Sequence, residues 1–119
     1  MNQRDLRDHL FHFAVRVIKF LRHLPKEPEA TVIRYQLAKS STSSGANYEE
    51  SQAGGSRADF SNKIRISLRE VRESNYWLRI VDSSYDFNPE VALELNLLIK
   101  ESVELTNILA SILNKTRNN

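Results

Sequence analysis

Four arginines and one tyrosine recur in the middle of the chain at a spacing that places them on one side of a helix. The steps between them are 4, 3, 4 and 3 residues: Arg65, Arg69, Arg72, Tyr76 and Arg79. At about 100° per residue they fall within an arc of about 80°, roughly 150° away from the apolar positions of the same segment. Arginine suits bidentate contacts with phosphates, and tyrosine can stack on bases. We name these five residues the arginine face and predict that it contacts RNA or DNA.

Two other roles fit the same spacing. Acids one turn away on the same helix could pair with the arginines, as Glu73 could with Arg69, which would leave a solvated face. Alternatively, the arginine face could be buried between subunits, against the acidic fourth helix predicted below. All three interpretations remain open at the level of sequence.

No residue pattern typical of a catalytic or metal site accompanies the arginine face. The three histidines, His9, His12 and His23, belong to the first predicted helix, and none follows a glutamate by three residues, as the Glu-x-x-His motif of di-metal bundles requires. The chain has no cysteine, no Gly-x-Ser-x-Gly motif and no phosphate-binding loop or dinucleotide fingerprint. We therefore expect no metal ion, no cofactor and no enzymatic activity.

Four helices must position the arginine face. In each of them, residues at steps of three and four form one face that can pack in a core. These faces are Leu6, Leu10, Phe13, Val17, Phe20 and Leu24 in the first helix; Ile33, Leu37, Ser40, Ser44, Asn47 and Ser51 in the second; Phe60, Ile64, Ser67, Val71, Ser74, Leu78 and Val81 in the third; and Val91, Leu95, Leu98, Ser102, Leu105, Leu109 and Ile112 in the fourth.

Helix-breaking and capping residues mark where these helices begin and end. The first should end at Pro25, and the second at the pair Gly54-Gly55. Ser56 is the expected N-cap of the third helix, and Asn88 that of the fourth. Long helices with short connections predict an all-α, antiparallel up-down-up-down four-helix bundle. We predict a single domain over residues 1–119, with helices at about 4–24, 29–53, 56–83 and 89–116.

Composition and charge place the chain among ordinary globular domains. It has 119 residues, of which 40% are hydrophobic and 27% charged, and only three glycines and three prolines. Residues 1–81 contain 14 basic and nine acidic residues, a balance of +5, whereas residues 82–119 contain three and six, a balance of −3. The first twenty residues are charged throughout, unlike a signal peptide, and no apolar run is long enough to span a bilayer. We expect a soluble, cytoplasmic protein with no membrane partner.

Apolar residues outside the core faces predict contacts with other copies of the chain. The first helix has Phe11, Val15 and Ile18 beside its core face, which widens the apolar surface to a second side. Further apolar residues lie off the core face of the fourth helix: Leu97, Ile99, Val103 and Ile108. One bundle interior does not require this much apolar surface, so we expect a homo-oligomer.

Motifs between residues 40 and 78 resemble those of a known family. They are a Ser/Thr run followed by Gly45-Ala46-Asn47, the dipeptide Asp59-Phe60 at the start of the third helix, and Glu73-x-x-Tyr76-Trp77-Leu78 near its end. These motifs resemble the 23S ribosomal RNA intervening-sequence protein family. The resemblance implies a cytosolic four-helix bundle that assembles as a homopentamer. It extends to the accessory protein of diversity-generating retroelements, a basic pentameric bundle that binds nucleic acid and a reverse transcriptase.

The residues and the resemblance together predict a non-enzymatic oligomeric bundle that binds RNA or DNA through the arginine face. The resemblance also implies a client protein as a second partner. The family has no set of catalytic residues that could be assigned to this chain. The alternative is a scaffold for protein–protein interactions in which the arginine face is buried in the subunit interfaces.

Overall fold

The chain folds into four long helices. The computed structural model describes the backbone of residues 3–118 and the side chains of residues 5–117. The helices are α1 (Gln3–Phe20), α2 (Pro28–Ser51), α3 (Arg57–Ser84) and α4 (Pro89–Asn118), and one turn of 3-10 helix, Leu21–His23, follows α1. Each helix packs on the next along the chain, and α1 also packs on α4. The predicted all-α, up-down four-helix bundle is therefore confirmed, and its extents are 46 × 25 × 20 Å.

The first and second helices end earlier than predicted, next to the prolines and glycines that follow them. The α-helical part of the first helix ends at Phe20 rather than residue 24, and Leu24 is extended with φ −72° and ψ 144°. This conformation is the one that Pro25 imposes on the residue before it. The second helix ends at Ser51 rather than residue 53. The connection that follows requires left-handed backbone at Gly54 and Gly55, with φ 102° and 116°.

Both predicted N-caps form. The Ser56 hydroxyl accepts a hydrogen bond from the Asp59 amide at 3.0 Å, and the Asp59 carboxylate accepts one from the Ser56 amide at 3.2 Å. This reciprocal pair is a capping box, and it begins α3 one residue later than predicted. The Asn88 side chain accepts a hydrogen bond from the Val91 amide at 2.9 Å. The caps fix the first residue of α3 and of α4.

The predicted core faces are largely buried. All six residues of the first face are buried, but Phe60, Asn47, Val91 and Ile112 at the edges of the other faces are only half-buried. Tyr48, which the spacing left out, is among the largest fully buried side chains. The reason is that α2 packs on both α1 and α3, so its buried surface is wider than one row of residues.

Small serines allow α2 and α3 to pack closely. Seven serines are buried in the described part of the chain: Ser40, Ser41, Ser44, Ser51, Ser67, Ser74 and Ser102. Between the two helices, the Ser40 and Ser74 hydroxyls share a hydrogen bond of 2.8 Å, and Ser67 donates to the Ser44 carbonyl at 2.7 Å. These bonds satisfy polar groups that would otherwise destabilise the core. No helix in the described residues is long and apolar enough to cross a membrane.

Candidate nucleic-acid interface

The arginine face lies on the outer side of α3. All five of its side chains are exposed, whereas Ser67, Val71, Ser74 and Leu78 on the opposite side of the same helix are buried. The periodicity of the buried residues thus determines where the arginines lie, because a helix that buries one row of residues must expose the row opposite it. The structure brings the five predicted residues together on one continuous surface.

The arginines of this face have few partners within the chain. Arg69 approaches Glu70 at 3.5 Å, but its side chain is 70% exposed, so this ion pair contributes little. The predicted pair between Arg69 and Glu73 is absent from the described ion pairs, and Glu73 instead accepts a hydrogen bond from the Trp77 indole at 3.3 Å. Arg65 and Arg72 form no ion pair with any described residue. The positive charge of the face is therefore available to an external ligand.

Tyr76 is held in place by its neighbours. The guanidinium of Arg79 lies over the Tyr76 ring at 5.9 Å, and the Trp77 ring meets Tyr76 edge-on with a centroid distance of 5.3 Å. Arg79 also donates a hydrogen bond to the Asn75 side chain at 2.9 Å. Asn75 in turn donates to the Ser102 hydroxyl on α4 at 2.9 Å. One end of the arginine face is thus ordered through contacts that reach the core, while the tyrosine ring remains about half exposed.

A different arginine, Arg16 on α1, is fully engaged. Its guanidinium donates to Glu94 on α4 at 2.7 and 3.4 Å and also binds Glu101 about two turns further along α4. His9 lies 3.1 Å from the other oxygen of Glu101. The hydrogen bond with Glu94 and the charges of both carboxylates raise the pKa of Arg16 above its ordinary value, against the opposing effect of burial. This cluster joins α1 to α4, and the sequence analysis did not identify it.

The histidines do not form a metal site within the described residues. His9 takes part in the Arg16 cluster, whereas His12 and His23 are exposed and contact the rings of Phe11 and Phe20. In the part of the chain that the structure describes, no group of three or more metal-ligating side chains occurs.

The fold and this surface define a class of protein: a helical bundle with an arginine-rich outer face on its third helix. The family model of the 23S rRNA-intervening sequence protein matches residues 4–111, and the chain belongs to that family. No curated protein matches the chain.

A solved structure is similar over almost the whole length. It is the 1.70 Å crystal structure of a protein of unknown function from the S23 ribosomal protein family of Bacteroides thetaiotaomicron. The two chains are 32% identical, the match covers 96% of this chain and 99% of the other, and the TM-score is 0.80. The family model therefore shows the family of this chain, and the solved structure shows the same fold in a similar protein.

Proposed function

We propose that this protein is a non-enzymatic, oligomeric helical bundle that binds RNA or DNA through Arg65, Arg69, Arg72, Tyr76 and Arg79. The observation that carries the proposal is the exposure of four arginines on one helix face with only one weak ion pair among them. Like charges three or four residues apart on a helix destabilise it by about 0.2–0.5 kcal/mol per pair. Repulsion among the four arginines lowers the stability of α3, and a ligand that binds them is the best explanation for their presence.

Phosphates are the ligand that suits this surface best. A helix face with arginines at steps of three and four offers planar donors along one line, and the half-exposed Tyr76 offers a ring on which a base can stack. Burial of the face against the acidic fourth helix of another subunit is less favourable. Two of the acids of α4, Glu94 and Glu101, are already engaged by Arg16 of the same chain.

Assembly and partners form the second part of the proposal. We propose a homopentamer, which the family resemblance supports, and exposed Leu93, Leu97 and Val103 on α4 favour association. A client protein would bind a surface that the nucleic acid leaves free. The proposed location is the cytoplasm, which the charged first twenty residues, unlike a signal peptide, support.

The salt dependence of binding tests the proposal. Labelled single-stranded RNA and DNA oligonucleotides are titrated with the protein at stepped salt concentrations, and anisotropy gives the affinity. Each phosphate contact contributes a slope of about −0.7 to −0.9 in log affinity against log salt. The double variant Arg69→Gln/Arg72→Gln should therefore flatten the slope by about 1.4 to 1.8 for each subunit that contacts the ligand.

A matched control removes two positive charges elsewhere. Arg7→Gln/Lys115→Gln changes exposed residues of α1 and α4 and should leave the slope nearly unchanged. The proposal fails if the wild-type protein binds neither RNA nor DNA at low salt. If the Arg69→Gln/Arg72→Gln variant binds as before but dissociates into smaller species, the arginine face is a subunit interface instead.

A further inference from the structure

A pocket with aromatic residues in its wall opens between the beginning of α2 and the end of α3. Its volume is about 490 Å³. Val32 and Ile33 of α2 line it together with Trp77 and Ile80 of α3 and with Tyr85, the residue that follows α3. Trp77, Ile80 and Tyr85 are half-buried, so part of each side chain stays accessible to a ligand. We name this cavity the aromatic pocket.

The charge of the aromatic pocket is negative. Among the described residues that line it, Glu27 and Glu29 are the charged ones, and both are exposed. Neither forms an ion pair with a described residue. The two carboxyl groups are close enough to share a hydrogen bond, which raises the pKa of Glu27 and lowers the pKa of Glu29. Two carboxylates at this distance repel each other when both are ionised, and a cation bound beside them relieves the repulsion.

The two carboxylates also lie near the Tyr85 hydroxyl. Partial burial and the charges of both glutamates raise the pKa of Tyr85, and the charge of Arg34 opposes them. Arg34 itself is held on another side, because one terminal nitrogen of its guanidinium donates to the carbonyls of Leu24 and Pro25 at 2.8 and 2.7 Å. It lines a different depression and forms no ion pair with the two glutamates among the described residues. The negative charge of the aromatic pocket is therefore available to a ligand.

Aromatic rings beside carboxylates suit one class of ligand, an ammonium group that carries methyl groups. Such a cation is attracted to the rings of tryptophan and tyrosine, and its methyl groups pack on aliphatic side chains. We propose that the aromatic pocket binds a quaternary ammonium group, whose charge Glu27 and Glu29 balance. The same group occurs in small molecules such as choline and in trimethylated lysine side chains of proteins, so the shared chemistry defines the site.

This site goes beyond the proposed function, since none of its lining residues belongs to the arginine face. The two surfaces are adjacent, because the Trp77 ring meets the Tyr76 ring edge-on. A base stacked on Tyr76 can therefore change the emission of Trp77 as well. For this reason the test below contains no nucleic acid.

Trp77 is the one tryptophan of the chain, so its fluorescence reports on the aromatic pocket. Choline is titrated into the full chain, and a parallel titration uses neohexyl alcohol, which has the shape of choline with a carbon atom in place of the charged nitrogen. We expect a saturable change in emission with choline and an affinity about tenfold higher than for the alcohol. Added salt should weaken the binding of choline and leave that of the alcohol nearly unchanged.

Paired substitutions of acids test the role of charge. Glu27→Gln/Glu29→Gln should weaken choline binding about fivefold and leave the affinity for neohexyl alcohol nearly unchanged. The matched control is Glu49→Gln/Glu50→Gln, which removes two exposed acids near the other end of the same helix and should leave both affinities unchanged. Helical circular dichroism checks that both double variants are folded.

A further pair of variants tests the role of the ring. Tyr85→Phe keeps an aromatic ring and should bind choline within about twofold of the wild type, whereas Tyr85→Leu should bind it about fivefold more weakly. A short peptide with one trimethylated lysine distinguishes the sources of the ligand. Tighter binding of the peptide than of choline identifies a protein ligand, and the reverse order identifies a small molecule.

Three results would overturn the inference. The first is equal affinity for choline and for neohexyl alcohol, which would make the pocket an apolar surface without preference for a cation. The second is equal weakening of choline binding by the two double variants, which would make the effect one of net charge. The third is that neither choline nor the peptide binds, by tryptophan emission and by calorimetry alike. None of these results bears on RNA binding by the arginine face, whose salt dependence is measured separately.

Discussion

Arg16 and the four arginines of the arginine face are the same residue type on helices of one bundle, but their surroundings differ. Arg16 lies where α1 meets α4, and two carboxylates of α4 bind its guanidinium. The arginines of the arginine face lie on the exposed side of α3. The comparison shows that an arginine is structural where a neighbouring helix supplies acids and available to a ligand where none does.

The distribution of acids along the chain explains this difference. The segment from residue 82 onward has the excess of acidic residues, and it folds as α4 beside both α1 and α3. Glu94 and Glu101 lie on the side of α4 that faces α1, whereas Ser102 lies on the side that contacts Asn75 of α3. Glu94 and Glu101 thus pair with Arg16 of α1, and among the described ion pairs no acid of α4 reaches the outer face of α3.

Removal of the engaged arginine should give the largest effect on stability. Arg16→Met keeps the aliphatic stem but removes the guanidinium that donates to Glu94 and Glu101. The side chain of Glu101 is only 12% exposed, so its charge would lose its main partner in a poorly solvated position. We expect a loss of about 2 kcal/mol in the free energy of unfolding, measured by urea denaturation. The salt slope of RNA binding should not change.

The matched variant on the arginine face is Arg65→Met. It removes an exposed arginine without an ion pair, and we expect a change in stability of less than about 0.5 kcal/mol. Equal losses in Arg16→Met and Arg65→Met would show that the two regions do not differ in the way that the comparison requires.

A second prediction compares the two carboxylates that bind Arg16. Glu101→Gln should lower the free energy of unfolding by about 1 kcal/mol, because the neutral amide weakens the charged hydrogen bond with Arg16 and the contact with His9. Glu94→Gln should cost less, since Glu94 is more exposed and binds Arg16 alone among the described ion pairs. Urea denaturation of the two variants measures both values, and a larger loss for Glu94→Gln would contradict this ranking.

The sequence predicts those parts of the fold that depend on local spacing. The core faces repeat at steps of three and four, and the N-caps at Ser56 and Asn88 require only residues within the next turn. The exposure of the arginine face follows from the same periodicity, because its position is fixed relative to the buried face of α3. The resemblance to the family rests on motifs within α2 and α3, and the family model, which matches residues 4–111, confirms it.

The parts that the sequence did not predict depend on which helices meet. Arg16 and Glu94 are 78 residues apart, and no local pattern connects them. Tyr48 is buried because α2 packs on two helices, which widens its buried side beyond a single row. A surface groove between Phe11 and Ile18 of α1 and Gly45 of α2 likewise combines residues that only the packing of the two helices brings together.

The last predicted effect on stability has the opposite sign. Arg72→Glu removes a like-charge contact with Arg69 and replaces it with an attractive one, three residues apart on the same exposed surface. The free energy of unfolding should rise by about 0.5 kcal/mol, while the affinity for RNA should fall, because a phosphate contact becomes a repulsive one. Arg72→Lys is the control, since it keeps the charge: the stability and the salt slope of RNA binding should change little, and the affinity should fall less than in Arg72→Glu. Thermal unfolding and RNA titration of both variants give the two values. A loss of stability in Arg72→Glu would mean that Arg72 has a structural partner, and the contrast with Arg16 would then be lost.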